Sequence, residues 1–436
     1  MKNRDRTTRI SYIVEAAFEY FISLFVTGTM LGYLLDTLGF SDAVQGVICT
    51  VATFTCGAQL FALVVNNQRR KRFVVIGHLI NQLCFVSLYL LPVFKLSPNA
   101  KSTILVVLLV SGHLINNAIN PSKITWLMSA VPNESRGSFT AIKEMISLSG
   151  GIAVSLIFGR IADTYRDPMG MPTGSYYVIC SVALLLMTLI HTLMLLVSNE
   201  KRSSVPIQKI SIGKTARKLS QNQTLIKVIG VGMMWNFASA LSVSFFTSYQ
   251  RDELAFSFTV IALITTVGSV CRIVVSPILG RIADKYSFAT SMTISFFCAS
   301  IAFLSIVFTT PQTRWIFLVY TCLYAFSMAG INSGIINLIY DYVSDGERAA
   351  AMGIKNALGG ILAFFTSLLS GFILSVVQKN GGIHLFGFTL YAQQLLAFLS
   401  FATTALLIIY MRKVIVPLRK VQEKTNVNQD ESLNIH

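Results

Sequence analysis

The sequence predicts an all-α membrane protein: twelve transmembrane helices in two pseudo-symmetric six-helix bundles. Three observations predict it. Charged residues make up only 12% of the 436-residue chain, and mean hydropathy is +0.64. A soluble domain carries about twice that charged share. The hydropathy divides into twelve apolar runs, each near the ~20 residues needed to cross a bilayer. Finally, the second half of the chain repeats motifs of the first at a nearly constant spacing.

Taken in order, the spans are expected at about 11–35, 42–65, 73–94, 103–128, 138–161 and 176–197 in the first half. Those of the second half fall at 224–248, 257–279, 288–309, 315–340, 349–377 and 387–411. The chain then reads as a first bundle (1–197), a basic linker (198–223), a second bundle (224–412) and a polar tail (413–436). Residues 1–9 are polar and basic with no small-residue cleavage site, so they predict a cytoplasmic tail and not a signal peptide. With that end inside, the odd-numbered loops hold only Lys95, Lys101, Arg160, Arg166, Arg251, Arg314 and Lys379. Lys123, Lys227 and Arg272 fall within spans, and the rest of the 35 basic residues lie on the cytoplasmic side. This asymmetry predicts that both chain ends are cytoplasmic. It also explains the net charge of +16 without nucleic acid. Short loops and small size suit a bacterial inner membrane and a monomer.

The repeat is specific. Val131–Arg136 aligns with Val343–Arg348 at an offset of 212 positions, and the same offset pairs Asn120 with Asn332, Lys143 with Lys355, Ser155 with Ser367 and Gly159 with Gly371. Leu38-Gly39-Phe40-Ser41 aligns with Leu254-Ala255-Phe256-Ser257 at an offset of 216. The seven cysteines lie inside apolar runs without C-x-x-C spacing, which fits small core residues better than disulfides or metal ligands. No metal or cofactor motif is present. Neither is H-E-x-x-H, G-x-S-x-G or a catalytic carboxylate pair, which argues against an enzyme.

The stretch Ser276–Ser287 closes the eighth run and opens the ninth. Gly280 is expected to let two helices approach, Pro277 to loosen the helix end, and Asp284 to sit at a helix boundary between Arg281 and Lys285. This stretch resembles the Gly-x-x-x-Asp-basic loop signature of the major facilitator superfamily of secondary transporters. The equivalent first-half loop, 66–72, keeps the basic run but has Gln68 where the second half has Asp284. Gly159–Asp163 mimics the signature once more on the opposite face, where it reads as coincidence or a plain helix end. The resemblance implies a central cavity lined by spans 1, 4, 7 and 10, with spans 2, 5, 8 and 11 beside them.

Polar residues within spans are costly and therefore candidates for function. Glu15 and Glu19 share one face of span 1. Glu19, two turns further in than residue 11, is the candidate proton carrier, with Glu15 beside it; the alternative is a structural carboxylate paired with a cation. Arg272 lies twelve residues before Asp284, roughly 18 Å along a helix, and needs an anion, either substrate or an internal acid such as Glu19. On span 4, His113, Asn116, Asn117 and Asn120 suit a polar ligand or interhelical hydrogen bonds, and Lys123 is expected to snorkel. Trp235, Asn236, Tyr320, Tyr324 and Asn332 offer an aromatic-amide face suited to a sugar, or plain packing. Arg136, Lys143, Arg348 and Lys355 read as gate or loop-pairing residues, together with Gly280, Arg281, Asp284 and Lys285.

These residues point to a proton-coupled symporter of a small polar solute (a sugar or glycoside before an organic acid) acting by alternating access. A drug–proton antiporter is the alternative, and a non-transporting membrane sensor is weaker because the tail is short.

Overall fold

The computed structural model describes residues 2–60, 70–132, 136–165, 172–200, 217, 220–343, 348–385 and 388–418. Among them are twelve helices long and apolar enough to span a membrane: Asp5–Thr37, Asp42–Leu60, Lys71–Leu90, Pro98–Met128, Ile142–Thr164, Gly174–Val197, Gln223–Glu253, Phe258–Ala283, Phe288–Val307, Ile316–Ile339, Ala351–Lys379 and Ala392–Leu418. They are spans 1 to 12 below. With twelve crossings, Lys2 and Leu418 lie on one face, and Asn199 and Asn222, six crossings along, lie on it too; it is called the linker face below.

The packing repeats with the sequence. Span 3 packs on spans 4 and 6, and span 1 on spans 5 and 6; in the second half span 9 packs on spans 10 and 12, and span 7 on spans 11 and 12. The halves meet through two equivalent pairs, span 5 on span 8 and span 2 on span 11. Each half has its own core, one around Phe25, Tyr89, Tyr176 and Tyr177, the other around Trp235, Phe296 and Phe303. The seam between spans 2 and 11 is lined with small residues. A Cβ on Gly353 would come 3.0 Å from Leu60, one on Gly371 3.0 Å from the Ala43 carbonyl, and one on Gly360 would strike the Thr53 carbonyl.

The repeat extends to backbone geometry. Gly39 has φ 79° and Ala255, its partner 216 positions on, has φ 51°. Ala255 is the one non-glycine residue with positive φ among the described residues. The next two positions end the loop alike, with Ser41 and Ser257 as helix N-caps. Span 1 breaks after Phe25 and restarts at Gly28, while span 7 breaks after Ala240, where Leu241–Ser242 precede a 3-10 turn. Residues 26 and 242 are again 216 apart. A broken helix frees backbone carbonyls that lipid cannot satisfy. The Tyr89 hydroxyl donates to Phe25 O (2.7 Å), His113 bonds the Val26 backbone, and the Ser367 hydroxyl donates to Ala240 O (3.2 Å). Span 2 also changes to 3-10 geometry over Thr55–Leu60.

Four expectations change. The N-terminal segment is helical from Lys2 and continues into span 1. Span 8 runs unbroken through Pro277 to Lys285, and a Cβ on Gly280 would meet nothing within 4 Å, so Gly280 serves no close helix approach among the described residues. Span 12 starts at Ala392, not near 387, because Tyr391 and Gln394 form a capping box and Ile383–Leu385 pairs with Phe388–Leu390 as a short hairpin. Arg136, Asp284 and Arg348 lie on helices, but their side chains are outside the described residues, as is Gln68.

A left-handed conformation costs an L-residue about 1–2 kcal/mol. Ala255→Gly should therefore raise the thermal unfolding midpoint in detergent and Gly39→Ala should lower it, each by the equivalent of about 1 kcal/mol. Equal midpoints in all three proteins would contradict the assigned backbone.

Candidate functional site

A cleft of about 400 Å³ lies between spans 1, 4 and 5, lined by Ala16, Glu19, Tyr20, Ser23, Asn116, Asn120, Lys143, Glu144 and Ser147. The steps from Ala16 through Tyr20 to Ser23 and from Asn116 to Asn120 each follow one helix face. These positions lie on the linker-face side of the spans.

Behind the cleft sits Lys123, 2% exposed. Its ammonium donates to Glu15 Oε1 at 2.9 Å and also to Glu19 Oε2. Glu15 is fully buried, whereas Glu19 is 28% exposed and reaches the cleft. His191 Nε2 lies 3.0 Å from Glu15 Oε1, and Gln82 Nε2 lies 2.9 Å from His191 Nδ1. Lys123 therefore does not snorkel. A carboxylate pair four residues apart on span 1 captures it in the interior, where desolvation is tolerable only because each charge has a hydrogen-bonded counter-charge.

Lys143 lines the cleft instead of acting at a gate: its ammonium sits 4.8 Å over the Tyr12 ring. Lys355, its repeat partner, bonds Asn356 Oδ1 at 3.2 Å. Arg272 finds its acid on span 5, with Nη2 3.5 Å from Glu144 Oε1, and not in Glu19. Tyr20, Glu144 and Ser147 were missed by sequence reasoning. Glu144 follows Lys143 directly, and an acid there within an apolar run was the available signal.

The other candidates divide. Asn116 and Asn120 face the cleft. Asn117 is buried in a relay between the halves: it donates to Thr55 Oγ1 (3.1 Å), accepts from Gln59 Nε2 (3.1 Å), and Gln59 Oε1 accepts from Asn356 Nδ2 (3.0 Å). His113 packs on Phe85 beside the span 1 break. The aromatic face is core packing: Trp235 is 4% exposed, against Phe296, Phe303 and Tyr324. Tyr324 stacks on Tyr320 with centroids 5.3 Å apart. Asn236 lies against Gly359, and Asn332 is exposed. Arg281 and Lys285 are exposed at the linker-face end of span 8.

The opposite face is closed between the halves. Arg251 Nη2 lies 3.1 Å from Asp36 and 3.7 Å from Asp42, and Gln378 donates to Asp42 at 2.9 Å. Asp163, read above as coincidence or a plain helix end, accepts from the backbone N–H groups of Phe258 (3.2 Å) and Thr259 (2.8 Å) and from the Thr259 hydroxyl. It caps the first turn of span 8 from the other half of the chain. Gly159 allows the approach, since a Cβ there would sit 3.0 Å from Ala262. Among the described residues the structure thus has a cleft toward the linker face and contacts between the halves at the far face. Among the described residues no group of three or more His, Cys, Asp or Glu could hold a metal.

The family model described as Major Facilitator Superfamily matches residues 16–252 and 228–432. The chain belongs to the major facilitator superfamily. Solved structures similar to it include a variant of the nucleoside transporter NupG (TM-score 0.71, 14% identity, covering 93% of this chain and 99% of that one) and a D-xylose-proton symporter (0.69, 13%, 94% and 96%). A bacterial homologue of the iron transporter ferroportin is also similar (0.59, 15%, 94% and 98%). At these identities the likeness is one of fold. No curated protein matches in sequence. This superfamily member is a multi-pass membrane protein of a transporter family.

Two outcomes follow. Lys123→Met strands Glu15 without a counter-charge and should cost about 3–5 kcal/mol of stability, with Glu15→Gln in the same chain restoring part of it, measured by thermal unfolding. Asp163→Ala removes an inter-half cap worth about 1 kcal/mol. In a background free of native cysteines, it should raise far-face maleimide labelling of Thr29→Cys about five-fold; an unchanged rate would mean that Asp163 does not hold that face shut.

Proposed function

We propose that the protein is a secondary transporter of a small polar solute, a sugar or glycoside before an organic acid, working by alternating access and coupled to protons as a symporter. The observation that carries this is the cleft lining. Asn116 and Asn120 offer amide donors and acceptors, and Ser147 and Tyr20 offer hydroxyls. Glu19 is a carboxylate shared between the cleft and a buried ammonium. A polyhydroxylated solute matches such a lining. A lipophilic one would leave its polar groups unpaired at about 1–3 kcal/mol each. Two structural relatives are described as carrying a nucleoside and D-xylose, both sugar-bearing solutes.

Glu19 couples solute to proton as follows. Deprotonated, it holds Lys123 together with Glu15. Protonated, it frees a Lys123 donor and becomes a hydrogen-bond donor itself toward the cleft. The Arg251–Asp36 bridge and the Asp163 cap would part as the far face opens, and the exposed basic end of span 8 would close the linker face. The basic loops support a cytoplasmic position for that face, in an inner membrane. A second, apolar pocket of about 140 Å³ between Met30, Tyr33, Phe258 and Ala262 is the feature that favours the rival drug–proton antiporter.

The test is uptake into proteoliposomes of D-xylose, uridine, glycosides, amino acids and carboxylates, with and without an inward proton gradient. One polar solute should accumulate only with the gradient. Glu19→Gln should abolish accumulation of that solute while keeping its exchange. Pumping of a lipophilic cation with no movement of any polar solute would establish the antiporter instead.

A further inference from the structure

The charges around the cleft compensate one another. Glu15 and Glu19 hold Lys123, Glu144 faces Arg272, and Lys143 lines the cleft together with Glu19 and Glu144. The repeat carries the same positions into the second half and treats them differently. At the offset of 216, Glu15 becomes Val231, Ala16 becomes Gly232 and Glu19 becomes Trp235. At the offset of 212, Lys123 becomes Ile335 and Glu144 becomes Asn356, while Lys143 is kept as Lys355. The packing agrees with this correspondence. Lys143 shares the cleft lining with Ala16, and a Cβ on Gly232 would lie 2.9 Å from Lys355 Cε and 3.7 Å from Ile335. The second half has therefore kept a cation and replaced each carboxylate around it by a neutral residue.

Lys355 lies at depth. Its helix begins at Arg348, about 10 Å before it. The side chain is half-buried, and its stem runs over Gly232 of span 7. Among the described residues no carboxylate reaches it, and the titratable side chain facing it is Cys56 of span 2. The ammonium has three N–H groups, and its described acceptor is the neutral Asn356 Oδ1 at 3.2 Å. Asn356 is held in that orientation, because its Nδ2 donates to Gln59, which donates in turn to Asn117 of span 4. The relay ties Lys355 to the helix whose Asn116 and Asn120 face the cleft. A membrane-embedded cation is costly without a counter-charge. Lys123 has its counter-charges within the chain, and Lys355 has room for one from outside.

We propose that Lys355 binds the carboxylate of the transported solute, and that this solute is a polyhydroxylated acid, a sugar acid. The inference rests on the polar-solute reading above and narrows it: hydroxyls suit the amides and hydroxyls of the cleft, and the acid suits the lysine. One ammonium matches a singly charged carboxylate and would leave a phosphate dianion half compensated.

The experiment measures binding of D-glucuronate, D-gluconate, D-glucose and D-glucose 6-phosphate to the full chain in nanodiscs by titration calorimetry. One of the two sugar acids should bind at least about ten-fold tighter than D-glucose. Lys355→Gln should bring it down to the level of the neutral sugar, and Lys355→Arg should keep most of the preference. Asn356→Asp restores an acid beside the lysine and should also weaken binding of the sugar acid. Thermal unfolding of the ligand-free protein shows whether the lysine is structural. Lys355→Gln strands no carboxylate and should leave the midpoint unchanged or raised, and a lowered midpoint would reveal an internal partner and overturn the proposal. So would no binding of either acid, equal affinity for acid and neutral sugar, a preference for the phosphate ester, or acid binding retained in Lys355→Gln. Gradient-driven uptake into proteoliposomes separates the two readings. A sugar acid bound through Lys355 but never accumulated removes the symport and leaves the site. Accumulation of a neutral sugar, equal in wild type and Lys355→Gln, removes the site and leaves the symport.

Discussion

A bilayer interior penalises every unpaired polar group, and this constraint orders much of the structure. It is why Lys123 sits between Glu15 and Glu19, why the Tyr89 hydroxyl serves the broken end of span 1, and why Ser367 serves that of span 7. Polar side chains at depth are found where the backbone has been interrupted or where another charge waits. The 3-10 turn at Thr55–Leu60 carries Gln59 into the amide relay, so a stretch that would be unstable against lipid becomes a bridge between halves.

The two bundles share an ancestry of form down to single dihedral angles, yet their interiors have diverged. Positive φ at Gly39 and Ala255 and breaks near residues 26 and 242 recur. The chemistry does not recur. The first half buries an ammonium, a carboxylate and three imidazoles (His78, His113 and His191), with the Glu19 carboxylate half-buried beside them, whereas the second packs Trp235, Phe296, Phe303 and Tyr320 into its core. Charge is thus gathered in one bundle and aromatic packing in the other.

Most of the architecture was legible in the sequence, because span length and repeat offsets are local or periodic signals. The alignment of Leu38–Ser41 with Leu254–Ser257 marked a repeat that the backbone also follows. Pairings were less legible. Glu19 and Lys123 lie 104 positions apart, and only packing selects Lys123 over Arg272 as the partner. Trp235 offered the same composition whether it faced a ligand or a core. Asp163 was dismissed because its motif fell on the unexpected face, although its carboxylate caps a helix start that sequence alone cannot bring near it. Lys143 was read as a gate or loop-pairing residue from its place at the repeated start of span 5, and only the packing brings it into the cleft lining.

The seam between spans 2 and 11 behaves as a bearing. At Gly360 and Gly371 the backbone of span 11 meets that of span 2 with no side chain between, while Gly353 meets the Leu60 side chain. A tilt about the two backbone contacts has no rotamers to unlock there. The same seam is crossed by the Gln59–Asn356 and Asp42–Gln378 hydrogen bonds, and the opposite contact by the Asp163 cap and the Glu144–Arg272 pair. A rolling bundle would therefore pivot on two points of bare backbone and trade polar contacts on either side of them.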